Sequence, residues 1–275
     1  MNSIPRKLKK RQKAKKSKSS HAIHLETSSP ITSAGKINFA FTTTGEIFQP
    51  IRVHYNVKNQ FELINEFIKL QCIDHDSIHN RWVWLYVAEA RKIQFAKQPP
   101  KKDVIIIGEF ILKGKDELVL NLRSIERALE AIVFFDQYLS RNNVSVTDIT
   151  MINRLFDVEE VRSIKSIDYL FERSDVLVRN PDKIIQQLTD IKSKAESEID
   201  GFIGIEHFIQ KLVNEPEPEI EKFPSNYHED GIDPLKFALA LRQKTAIEHW
   251  KGNTQYTAMG AIMDMLNTAK PARLK

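Results

Sequence analysis

Five residues able to ligate a metal fall within one short run: Cys72, Asp74, His75, Asp76 and His79. Thiolate, imidazole and carboxylate are zinc ligands, and His75 and His79 would share one face of a helix. The stretch Ile-Asp-His-Asp-Ser-Ile-His-Asn from Ile73 nevertheless has the composition of a helix exit and loop, where Asp, Asn, Ser and His cap and solvate. No second cysteine pair and no HExxH frame accompanies it. Cys72, His75 and His79 therefore stand as the candidate ligands, with structural or solvent roles expected for them and no cofactor.

Other catalytic patterns fail on spacing. Gly108 to Gly114-Lys115 imitates a phosphate loop, but five residues separate the glycines and Asp116 stands where a hydroxyl should be. No GxSxG elbow occurs, and Cys72 falls on the apolar side of a predicted helix, which makes it a buried structural thiol. Carboxylates such as Glu89 with Glu109, or Asp116 with Glu117, would serve a nuclease only if the fold joined them; the expectation is strand or turn surface. His228-Glu229-Asp230 lies in an acidic stretch and reads as solvated loop.

The charge pattern is more informative. Arg6, Lys7, Lys9, Lys10, Arg11, Lys13, Lys15, Lys16 and Lys18 place nine cations in residues 1–20, and no acid precedes Glu26. Of 41 basic residues in the chain this leaves 32, against 36 acidic ones, so the net charge of +5 belongs to the tail and the body is mildly acidic. Such a run attracts phosphate backbones in a salt-dependent way, and it lacks the aromatics that would stack on bases. Residues 1–35 also contain few large apolar side chains and are expected to be disordered.

The elements follow from periodicity. Ile37, Phe39 and Phe41, then Ile51, Val53, Tyr55 and Val57, alternate as strands do. Asn59 caps a predicted helix carrying Phe61, Ile64, Phe67 and Ile68, and Trp82–Val87 reads as strand. Val104–Leu112 and Leu118–Leu122 form a predicted hairpin, and Ser124 caps a helix through Leu139. A short strand at Val144–Val146 and a helix near Thr150–Phe156 complete the region.

Beyond Asp157 the strand signal stops. Asn180-Pro181 opens a helix whose apolar residues, from Ile184 to Leu212, recur in a heptad-like seam weakened by Gly201 and Gly204. Residues 215–232 hold three prolines and six acids and read as a surface loop. Helices opening at Asp233-Pro234 and carrying Met259, Ile262, Met263 and Leu266 end the chain.

These readings predict an α+β fold: a small, largely antiparallel sheet covered by helices, followed by an all-helical C-terminal region. The divisions are 1–35 (basic tail), 36–156 (α+β domain) and 157–275 (helical region). No apolar run approaches the ~20 residues that cross a bilayer, and no apolar segment follows the charged N-terminus as a secretory signal requires. With a single cysteine, the expected compartment is cytoplasmic, or nuclear in a eukaryote. The expected function is a non-catalytic accessory protein associating with nucleic acid, a ribonucleoprotein or another polyanion through residues 1–20, with no membrane partner. One alternative is a protein-interaction module using the seam 184–212; another is a metal-dependent enzyme using the 72–79 cluster.

Overall fold

In the computed structural model, which describes residues 38–100, 103–172, 176–215 and 217–269, Ile51, Val53, Tyr55 and Val57 alternate along strand β1 (Ile51–Val57). The other strands are β2 (Ile73–Asp76), β3 (Arg81–Leu85), β4 (Ile106–Lys113), β5 (Glu117–Leu122), β6 (Val144–Ile152), β7 (Leu177–Val178) and β8 (Ile220–Pro224). They form one sheet in the order β2-β3-β4-β5-β1-β6-β8-β7, antiparallel throughout except for the β7–β8 pair. The class is α+β, as the periodicity predicts.

The helices are α1 (Gln60–Lys69), α2 (Ile125–Tyr138), α3 (Val158–Ser163), α4 (Ile167–Glu172), α5 (Pro181–Lys194), α6 (Glu198–Asn214), α7 (Tyr227–Asp230), α8 (Ile232–Trp250) and α9 (Ala258–Ala269). Their starts are set by capping side chains. Asn59 accepts from the amides of Phe61 and Glu62, Ser124 from that of Arg127, and Asn180 from those of Asp182 and Lys183, with Pro181 at the position where a missing N–H costs nothing.

One sheet face carries the main core. Leu63 and Phe67 of α1, Ile132 and Phe135 of α2, and Leu235 and Leu239 of α8 are buried against Val53, Tyr55, Phe110, Leu120 and Met151. Phe110 stands at the centre, its ring 4.8 Å from Phe135, 4.9 Å from Phe67 and 6.3 Å from Tyr55. Gly108 belongs to this packing. A Cβ there would lie 2.9 Å from Leu120, 3.0 Å from Leu122 and 3.2 Å from the Trp84 ring, so the missing side chain makes room for the indole. A smaller apolar cluster, including Ile152, Phe156, Leu170, Phe171 and Ile220, holds α3 and α4 to one end of the other face.

Several segments differ from their periodicity. Residues 39–41 form only isolated bridges, Phe39 with Asp157 and Phe41 with Ile47, because the turn at Thr42–Glu46 doubles the chain back before a ladder can extend. Ile73–Asp76 is an edge strand rather than loop, paired in register with Arg81–Trp84. Thr150–Ile152 continues β6 rather than starting a helix, since β1 and β8 flank it on both sides. The acidic stretch 215–232 contributes β8, so the C-terminal half supplies two strands to a sheet larger than expected. The charges at Glu221 and Lys222 hide β8 from a pattern of apolar alternation.

The seam over 184–212 is two helices. The chain breaks at 195–197, Ser197 caps α6, and the phase of the inner face resets, so that Phe202 and Ile209 point outward while Gly201, Gly204, Ile205 and Phe208 turn inward.

Replacing Phe110 by Ala empties the centre of the aromatic cluster. The expected loss is about 3–5 kcal/mol, read as a lowered midpoint in urea unfolding with an unchanged m-value.

Candidate functional site

Because side chains alternate along β1, the residues between its core positions emerge on the opposite face. Register then aligns them across five strands: Glu109, Asn121, Arg52, Thr150 and Lys222 form one row running from β4 to β8. Helix α4 docks over part of this row. Asp168 binds a terminal nitrogen of Arg52 and lies 3.4 Å from Lys113 Nζ, while Arg52 Nε donates to Asn121 Oδ1 at 2.8 Å. The guanidinium of Arg52 sits 4.5 Å from the centroid of the Phe171 ring. Arg52 and Lys113 hold the Asp168 carboxyl below its usual range, although its burial acts in the opposite direction.

His54 occupies the next position. Its Nδ1 lies 2.9 Å from Glu117 Oε1 and its Nε2 lies 2.8 Å from Thr150 Oγ1. A carboxylate only accepts, so Nδ1 carries the proton and donates to Glu117, and Nε2 accepts from the Thr150 hydroxyl. Burial pushes the imidazole below its ordinary pKa, against the pull of Glu117. Hydroxyl, neutral base and orienting carboxylate in line are the elements of an activated nucleophile. The remaining requirements are missing from the described residues. Two concavities among the described residues are each water-sized, one beside Tyr55, Asp136 and His228, the other beside Glu109, Asn121 and Arg123. Thr150 is only 3% exposed, and the amides around it are committed to the β1–β6–β8 ladders, which leaves no oxyanion donors. The relay satisfies three polar groups on this sheet face.

Two further charged centres lie on the helix-covered side. Glu221 on β8 is 2% exposed and takes ion pairs from Arg242 of α8 and Arg179, with Asn153 Nδ2 donating at 3.1 Å. Burial raises its pKa, but these donors outweigh that and hold it low. Arg127 and Glu46 face each other at 3.6 Å, both almost fully buried, and Thr44 takes the other end of the guanidinium at 2.5 Å. Burial brings Arg127 down to about 10.

The structure does not bring Cys72, His75 and His79 together. Cys72 is buried in the main core, and desolvation, then Glu89, push its thiol up to about 12. His75 stacks on Trp82 at 4.5 Å between ring centroids, and His79 bonds Asp76 at 2.8 Å. Among the described residues no three His, Cys, Asp or Glu side chains converge on a metal position. Glu89 caps the amides of Gln71 and Cys72, whereas Glu109 pairs with Arg81, so those carboxylates have separate duties. His228 Nε2 accepts from the Val146 amide, an ordered role in place of the expected solvated loop. The nine cations from Arg6 to Lys18 lie outside the described residues. The Arg52 row and the His54 relay escaped the sequence reading because their partners, Asp168 and Thr150, sit far away in the chain. The alternation that aimed Arg52 and His54 away from the core was visible. No family model, curated protein or solved structure matches the chain.

Neutral His54 contributes stability that is present in full above the ordinary imidazole pKa of about 6.5 and is lost as pH falls from there through the lower folded value. Thermal midpoints should decline between about pH 7 and pH 5, and His54→Gln should flatten that decline. Glu221→Gln leaves two guanidiniums without a carboxylate. The expected cost is about 3 kcal/mol in chemical denaturation, at the low end for a buried pair because Arg179 and Arg242 both reach solvent.

Proposed function

We propose that this chain is a non-catalytic accessory protein that associates with the phosphate backbone of nucleic acid, free or in a ribonucleoprotein, through Arg6–Lys18. One observation carries the reading: the arginines described in the body are already occupied. Of the ten among the described residues, eight sit in ion pairs with carboxylates: Arg52, Arg81, Arg127, Arg141, Arg154, Arg162, Arg179 and Arg242. Arg91 is turned onto the carbonyls of Pro99 and Asp103, and Arg123 lies in the field of Glu109. A guanidinium held by a carboxylate has little field left for a phosphate, whereas the tail has nine cations and no acid.

No described helix is long and apolar enough to cross a membrane, and a chain with one buried thiol suits a reducing cytoplasm. In this reading the polyanion sets location, and the body acts as the attached module.

The test is fluorescence anisotropy with single-stranded RNA, duplex DNA and heparin, using the full chain and a variant lacking residues 1–20. Affinity for RNA should fall steeply with salt, with a logarithmic slope of up to about −6 if all nine cations engage. The truncated chain should lose most of that affinity and slope. Binding that survives truncation unchanged at low salt would defeat the proposal. Equal binding of heparin would mark charge alone as the determinant.

A further inference from the structure

Arg123 stands apart from the other described arginines: its guanidinium donates to no described residue. It leaves the end of β5 on the polar face, two positions beyond Asn121. There it is half-buried and lines one of the water-sized concavities, together with Ile106, Ile107, Glu109, Asn121 and Ile167. Burial pulls the guanidinium below its usual range, the field of Glu109 opposes that shift, and Arg81 adds to it.

The same face shows what completes such a group. One strand away Arg52 receives the Asp168 carboxylate, delivered by α4, and its Nε donates to Asn121 Oδ1. Arg123 lies beside Ile167, the first residue of that helix, and receives no carboxylate from the described residues. Glu109 does not supply one. Its Oε2 goes to Arg81 at 2.6 Å, and Arg81 Nε reaches Asp76 at 3.2 Å. A desolvated charge without a partner is costly, and a counter-ion of matching shape lowers that cost.

We propose that this concavity binds a small monocarboxylate, of the size of formate or acetate. Its two oxygens accept from the planar guanidinium of Arg123, and Ile106, Ile107 and Ile167 surround its carbon end. Size limits the ligand, because a half-open concavity with room for about one water admits a carboxylate head and little beyond it. A phosphate is larger and loses more hydration on entry. Glu109 sets the strength of binding. Its field repels any anion beside Arg123, so removing that charge must tighten the site.

Line broadening of carbon-13-labelled formate and acetate by the full chain, at neutral pH and fixed ionic strength, measures the binding. Saturation is expected. Arg123→Gln should raise the dissociation constant about tenfold or more, the worth of the charge-assisted hydrogen bonds it removes. Arg123→Lys should raise it as well, because the charge stays while the two-pronged geometry is lost. Glu109→Gln should lower it, a gain that misfolding cannot produce. Inorganic phosphate at equal ionic strength should not displace the labelled acid. The basic tail is present in every chain compared, so its own attraction for anions cancels. Binding that is absent, that survives either change at Arg123, or that phosphate abolishes overturns the proposal. So does a Glu109→Gln chain that binds no tighter than its parent.

Discussion

Strand β1 is hydrogen-bonded to β5 on one edge and to β6 on the other, so it cannot slip by a residue without losing both ladders. A slip would also send Ile51, Val53, Tyr55 and Val57 to the face where Arg52 and His54 now sit. Two constraints thus coincide in one strand. The aromatic cluster around Phe110 and the polar row across Arg52 are opposite sides of the same register. Apolar burial supplies the larger energy, about 1.5–3 kcal/mol for each large side chain taken out of water. The polar side contributes less, but it makes the register unique, because its groups find their partners only in this alignment: Asn121 and Asp168 for Arg52, Glu117 and Thr150 for His54.

That polar side and the two buried centres behind it raise the matter of cost. Removing a carboxylate and a guanidinium from water costs several kcal/mol apiece, and a close pairing returns roughly that amount. Glu221 meets the requirement with two guanidiniums and an amide, and its lowered pKa records the success. Glu46 and Arg127 meet it less fully. Glu46 Oε1 and the Nε and Nη1 atoms of Arg127 have no hydrogen-bond partner among the described residues, so this pair holds the 42–46 turn to α2 without adding much stability. Charges placed in this way specify which surfaces meet. They also commit eight of the ten described guanidiniums to carboxylates.

How much of this was legible in the sequence depends on the range of the interaction. Asn59, Ser124 and Asn180 announce their helices because a cap is a contact between neighbours. The β4–β5 hairpin announces itself through Lys113–Asp116, with Gly114 at φ 70° in the turn. Strand β8 did not, because Glu221 occupies a core-facing position and becomes compatible with it only through Arg179 and Arg242. Thr150–Ile152 did not, because the helical reading of a short apolar run is overridden by strands on both sides. The polar row was half legible: alternation shows that Arg52 and His54 leave the core, but only the fold shows where Asp168, Glu117 and Thr150 stand.

The remaining question is what a chain gains by pairing its described guanidiniums internally while its sequence crowds nine cations and no acid into residues 1–20. A cation on a rigid face is held at a fixed distance from its neighbours, and a matching carboxylate within reach silences it. A cation on a tail can move to any phosphate within the tail's length, at the cost of ordering only the residues that bind. The first arrangement gives shape and the second gives reach. In this chain the folded part keeps its shape by spending its arginines internally, and its open apolar surface lies on α6 and α9. In the proposed reading charge-driven recognition falls to residues 1–20, and salt should act strongly on it.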